Sequence, residues 1–149
     1  MDKIAGQIYN DIRHEDAQNM TFSDEQFDVV VSNDVFEHVP DVQAALRESC
    51  RVLKRGGVMI FSIPFYVGHD ISSQRVKLDE GKPIFIKSPM YHGNPVDENG
   101  SLVFHDFGWD FLKFCREAGF SDAYMMDCYD PLKGYISELF SLFIAGKQS

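Results

Sequence analysis

QFDVVVSNDVFEHVPDVQAALRESCRVLKRGGVMIFSIPF, residues 26–65, changes its hydrophobic period twice. QFDVVVSN (26–33) is a short Val-rich run, the pattern of a strand covered on both faces. Pro40 and Asp41 break it, and Asp41 is a suitable N-cap for a helix beginning at Val42. Val42, Leu46, Ser49 or Cys50, and Leu53 recur at helical spacing, which predicts an amphipathic helix over 42–54. Lys54 and Arg55 suit the negative end of that helix, and Gly56 or Gly57 offers a left-handed stop. VMIFSIPF (58–65) then reads as a second buried strand closed by Pro64. Strand, helix and strand with short joints make a βαβ unit, so the fold class is α/β with parallel strands. Ser32, Asn33 and Asp34 crowd the carboxyl end of the first strand, where open α/β sheets bind ligands.

Beyond this unit the pattern loosens. Residues 66–107 are rich in glycine, proline and charge, far longer than an ordinary α/β connection, and read as an insertion or lid within one domain, 1–149. Inside it RVKL (75–78) and PIFI (83–86) alternate around DEGK (79–82), a hairpin with a four-residue turn, and PMYHGNPVDENG (89–100) is turn-rich. WDFLKFCREAGF (109–120) predicts a helix with Phe111, Leu112, Phe114, Cys115 and Ala118 inward and Gly119 as its stop. DAYMMDCY (122–129) and ISELFSLFIAG (136–146) read as strands with no helix between them, hence a C-terminal antiparallel pair.

A net charge of −9 repels nucleic-acid backbones and anionic membranes, so the expected partners are small molecules. No continuous apolar run reaches the roughly 18 residues of a membrane span, and the N-terminus has no apolar core of the secretory kind. Cys50, Cys115 and Cys128 are odd in number and lack metal-ligand spacing, which predicts reduced, buried thiols in a cytoplasmic protein.

The stretch from Glu15 to Phe65 resembles the class I S-adenosylmethionine-dependent methyltransferases of the type 11-like group. The likeness rests on D-A-x-x-M-x-F-x-D-x-x-F-D-x-V at 16–30, E-H at 37–38 and R-V-L-K-x-G-G at 51–57. The terminal helix and strand pair look like that fold's closing hairpin. The resemblance implies a Rossmann-like sheet of strand order 3-2-1-4-5-7-6 and S-adenosyl-L-methionine as cofactor. PMYHGNPVDENGSLVFHDFGWD (89–110) is similar to a subset associated with sugar and cell-surface biosynthesis, so the acceptor would be a sugar or another small molecule.

The resemblance also assigns residues. Asp16 would accept a hydrogen bond from the adenine amino group, with the Ala17 N–H offered to a ring nitrogen; otherwise Asp16 merely caps a turn. Ser32, Asn33 and Asp34 would hold the methionine half of the cofactor. His38 either takes a proton from an accepting hydroxyl or is a structural residue at a helix end. Glu37 is expected to be solvated or paired. Tyr91, His92, His105 and Asp106 are candidates on the acceptor side or plain loop residues. Methyl transfer from a sulfonium needs alignment and desolvation rather than a metal, so none is expected.

The departure from the family lies at the N-terminus. No G-x-G occurs in the sequence, and IYNDIRHED (8–16) would be the third strand, which reads as a domain truncated at its N-terminus and lacking the first two strands and the glycine-rich cofactor loop. FDVVVSN would then carry an unpaired apolar edge, an association template that predicts a homodimer or another covering partner. Activity alone would be impaired; the alternative is a non-catalytic remnant serving as an interaction module. A flavodoxin-like domain is disfavoured by the antiparallel end and the R-V-L-K-x-G-G run.

Overall fold

The computed structural model describes residues 3–94, 97–127, 129–136 and 141–149. Cys128 and residues 137–140 of the expected last strand lie outside the described residues, as do Pro95 and Val96 of the turn-rich stretch. The N-terminal segment corrects the sequence expectation. IYNDIRHED is not a strand of the main sheet but a separate ribbon of β1 (Ile8–Tyr9) and β2 (Ile12–Arg13). Asn10 and Asp11 turn it with φ of 50° and 63°, and these two residue types tolerate the left-handed region that a two-residue hairpin turn demands.

The core sheet is made of β3 (Phe27–Asn33), β4 (Leu53–Ser62), β11 (Asp122–Asp127) and β12 (Ser141–Gly146). Their order is β11–β12–β4–β3, the 6-7-5-4 end of the order the resemblance implies. β3 and β4 are parallel, with Val29 opposite Val58 and Asn33 opposite Ser62. α1 (Val42–Val52) connects them, and the Asp41 carboxylate accepts from the Ala44 N–H at 2.9 Å as its cap. Its inward face is Val42, Ala45, Leu46, Ser49 and Cys50, all buried.

The predicted helix stop is different in the structure. Leu53 is already extended, so the chain passes from helix to strand without a left-handed terminus. Gly56, at φ +73°, sits instead in an irregularity where the pairing shifts from Phe27–Leu53 to Val29–Val58. At Gly57 a Cβ would lie 2.9 Å from the Lys54 carbonyl and 3.1 Å from that of Asp28, so this close approach needs glycine. Lys54 turns to Asp28 at 2.8 Å and Arg55 to Glu25 at 3.6 Å rather than serving the helix end.

The insertion is built of small ribbons. β5 (Ser73–Gln74) pairs with β10 (His105–Asp106), tying its two ends together. β6 (Val76–Asp79) and β7 (Lys82–Phe85) form the expected hairpin, but Asp79 pairs with Lys82 across a two-residue Glu80–Gly81 turn instead of a four-residue one. β8 (Tyr91–Asn94) and β9 (Asp97–Leu102) form another. Arg75 and Lys87 both reach the buried Asp106 carboxylate, at 2.8 and 2.9 Å.

After α2 (Phe111–Glu117), stopped at Gly119 with φ +110°, the chain closes with β11 and β12. They are antiparallel to each other, and β12 is antiparallel to β4. The core between sheet and helices is aromatic: Phe61 stacks on Phe143 at 5.4 Å, and Phe107 meets Phe111 edge-on at 4.5 Å. Phe111 and Cys115 face it fully buried, with Leu112 and Phe114 half-buried beside them. Cys50 and Cys115 are free, and burial pushes the Cys115 thiol up to about 12.

Candidate functional site

Asp16 and Ala17 owe their position to α1. Glu48 accepts from the Met20 N–H at 2.7 Å and holds the Arg51 guanidinium at 2.7 Å. Arg51 in turn donates to the carbonyls of Met20 and Phe22 and to Asp24. Beside this clamp the Gln18 amide oxygen accepts from the Asp41 N–H at 2.9 Å. The segment from Gln18 to Asp24 is thereby fastened to both ends of α1. Asp16 caps its own turn, accepting from the Gln18 N–H at 2.9 Å, as one of its two sequence readings anticipated.

This arrangement opens a cleft of about 420 Å³ lined by His14, Asp16, Ala17, Val35, His38 and Pro40 among others. The adenine-side candidates and His38 therefore face one space. Ser32, Asn33 and Asp34 lie at the carboxyl end of β3, just before Val35, and are not among the lining residues of that cleft. Asp34 adopts φ +49°, its N–H donates to the Ser62 carbonyl, and its carboxylate accepts from the Ser62 hydroxyl at 3.1 Å. The strand end is thus bent sharply into the short 3₁₀ turn Phe36–His38.

That turn carries a feature the sequence reading missed. Glu37 is fully buried, and neither carboxylate oxygen has a hydrogen-bond partner. Of the two expectations for Glu37, solvated or paired, the first is corrected: neighbouring Phe36 and Val39 are core residues, and the Glu37 carbonyl is tied down by the Phe104 N–H at 2.7 Å. Burial drives its carboxyl above the usual range, against the opposing influence of the two nearby imidazoles. Glu37 Oε1 stands 3.5 Å from His38 Nε2 and 3.5 Å from His92 Nδ1. The two rings meet edge-on at 5.3 Å. His38 Nδ1 lies 2.8 Å from the Leu102 carbonyl. A carbonyl only accepts, so Nδ1 carries the proton and Nε2 of the neutral ring keeps its lone pair.

The acceptor-side candidates divide. His92 joins Glu37 and His38, whereas Tyr91 is exposed. His105 points elsewhere: its Nε2 meets the Pro40 carbonyl at 3.2 Å, and its ring stacks on Phe107 at 5.8 Å. It lines a second cleft of about 430 Å³ with Pro40, Asp41, Ser72, Gln74 and Phe114. Burial lowers its pKa, which favours the neutral ring. Asp106 is committed to Arg75 and Lys87, and despite its burial these partners hold its carboxyl below the usual carboxylate range. The one signal for Glu37 in the sequence was its place between apolar Phe36 and the His38–Val39 pair. A glutamate at the mouth of a strand is ordinarily read as solvated.

The methyltransferase domain family matches residues 2–61. An arsenite methyltransferase of Aquipseudomonas alcaligenes is 31% identical over 113 residues, covering 76% of this chain and 28% of that protein. A sarcosine/dimethylglycine N-methyltransferase of Halorhodospira halochloris is 45% identical over 47 residues, covering 32% of this chain and 17% of that protein. The chain thus spans less than a third of the length of either relative. In fold it is similar to the S-adenosylmethionine dependent methyltransferase of Mesorhizobium loti, with a TM-score of 0.57 at 18% identity, covering 89% of this chain and 67% of that one. Among the described residues no helix is long and apolar enough to cross a membrane.

Proposed function

We infer that the chain is part of a class I S-adenosylmethionine-dependent methyltransferase, and propose on that premise that it forms the acceptor-facing part of a site that methylates a small molecule, a sugar being one candidate. The observation that carries this reading is the single cleft shared by Asp16, Ala17, Val35 and His38 at the carboxyl end of β3. In that cleft the Asp16 carboxylate would accept from the adenine amino group and the Ala17 N–H would donate to the ring. Ser32, Asn33 and Asp34 would receive the methionine end, whose charged groups suit the polar strand terminus. The cofactor supplies an activated methyl group; the protein aligns the acceptor in line with it and excludes water. His38 presents the lone pair of Nε2, the form that can take up the acceptor's proton. The segment 66–107 acts as the lid on the acceptor side of this single domain.

No G-x-G loop occurs among the 149 residues. We therefore place the glycine loop and the grip on the ribose in a second copy of the chain or in sequence outside it, docked on the edge of β3 and the sheet face beside it, where Val29 and Val31 are exposed. Free, buried Cys50 and Cys115 support a reducing, cytoplasmic setting.

Calorimetric titration with S-adenosylhomocysteine tests the reading. Saturable binding is expected, about tenfold or more weaker in Asp16→Ala, as befits loss of a hydrogen bond to a charged group. At a hundredfold excess over Kd the ligand would stabilise the fold by about 2.7 kcal/mol. No heat and no thermal shift at millimolar ligand would favour the alternative, a non-catalytic interaction module of the same fold.

A further inference from the structure

We propose that Glu37, His38 and His92 form a binding site for a divalent transition-metal ion such as Zn²⁺ or Co²⁺, open on one side to an oxygen ligand. This departs from the expectation of a metal-free reaction. Three independent observations converge. The first is the orphaned carboxylate: Glu37 is completely buried, and both of its oxygens are without hydrogen bonds. A buried carboxylate in that condition is costly unless something compensates it, and a cation does so directly.

The second is spacing. One ligand atom from each residue lies within 4.8 Å of the others, and Glu37 Oε1 is 3.5 Å from each imidazole nitrogen. Metal–ligand bonds of about 2.0–2.1 Å in a tetrahedron place neighbouring ligand atoms about 3.3–3.4 Å apart. The carboxylate oxygen already stands near that separation from both nitrogens, and the two imidazoles, within 4.8 Å of each other, have to close on the ion. Two imidazoles and one carboxylate suit zinc, iron, cobalt or nickel rather than calcium or magnesium, which prefer all-oxygen sites.

The third is the support behind His38. The Leu102 carbonyl, 2.8 Å from Nδ1, fixes the ring so that Nε2 faces Glu37 with its lone pair. A backbone acceptor on the far nitrogen of a ligating histidine is the usual way such a ring is oriented. Leu102 ends β9 and His92 lies on β8, so one hairpin both orients His38 and delivers the third ligand. The side chains of His38 and His92 remain 21% and 33% exposed, which leaves the remaining coordination positions facing solvent beside the Asp16 cleft. Three protein ligands with an open position are the pattern of a reactive rather than a structural metal site. An ion here takes the His38 lone pair that would otherwise serve as base, and acidifies a water or an acceptor hydroxyl in the open position.

The test is titration of the 149-residue chain with Co²⁺, then Zn²⁺ in competition, with no nucleoside present. It therefore stands or falls apart from the cofactor reading. One Co²⁺ per chain with visible d–d bands, displaced by Zn²⁺, is the expected result. His92→Gln and Glu37→Gln should each weaken binding by more than about 100-fold, since even loss of a supporting partner costs 10–100-fold. His69→Gln, outside the cluster, should bind as the parent does. If Glu37→Gln does not fold, His92→Gln on the hairpin decides. No saturable binding, or parent-like affinity in His92→Gln, overturns the site.

Discussion

β3 and β4 run side by side in parallel, from Val29 opposite Val58 to Asn33 opposite Ser62, and share a vocabulary of valine, isoleucine and phenylalanine. Their surroundings differ. Met59 and Phe61 of β4, in register with Val30 and Ser32, lie on the face that packs into the core and are 0% and 1% exposed, while Val29 and Val31 of the edge strand β3, in register with Val58 and Ile60, lie on the opposite face and are 48% and 66% exposed. A Val-rich run thus records the cover a strand is suited to, and the neighbouring chain decides how much of that cover it receives. β4 sits in the middle of the fold; β3 leads at its carboxyl end into the candidate site and keeps one edge unpaired among the described residues.

The contrast can be broken at its strongest point first. Phe61→Ala should cost about 3–5 kcal/mol in urea unfolding, because the ring sits among Phe36, Phe111 and Phe143 with no room for solvent to fill the hole. A loss under about 1 kcal/mol would mean that the core is not where the packing puts it. Asp106→Asn, which strands the Arg75 guanidinium, should cost about 3 kcal/mol. Its pH signature comes from a folded-state pKa below the unfolded value of about 3.9. The stabilisation is complete above that unfolded value and is lost as pH falls through the folded one. Urea midpoints of the parent should therefore drop more steeply below about pH 4 than those of Asp106→Asn. Asp41→Ala removes the cap of α1 and should cost about 1 kcal/mol by the same measurement. Val31→Lys should change stability by no more than about 0.5 kcal/mol yet lower the mass seen by light scattering if the β3 edge pairs chains. A mass of one chain before and after that substitution would end the edge-pairing proposal.

Much of this fold was legible in the letters. The βαβ unit, the Asp41 cap, the 75–86 hairpin and the antiparallel close all derive from period and punctuation, which are local properties. Two errors came from reading turns through the wrong partner. Gly56 looked like a helix stop because it comes after a helix pattern, but its conformation is set by the strand beside it. Asn10–Asp11 looked like the middle of a strand because a resemblance placed one there, and the turn chemistry of the pair won. Of the site, Asp16, Ala17 and His38 converge on one cleft, while His105 faces another. Glu37 and His92 could not be joined in advance, since 54 residues, among them α1, β4 and the β6–β7 hairpin, separate them and only tertiary packing closes that distance.

The Glu48–Arg51 clamp has one more consequence. It binds Met20, Phe22 and Asp24 to the last turns of α1, so helix end and loop open to solvent together rather than in sequence. Their amides should exchange as one cooperative unit, and a ligand resting on Asp16 should slow exchange along the far end of α1, which it never touches.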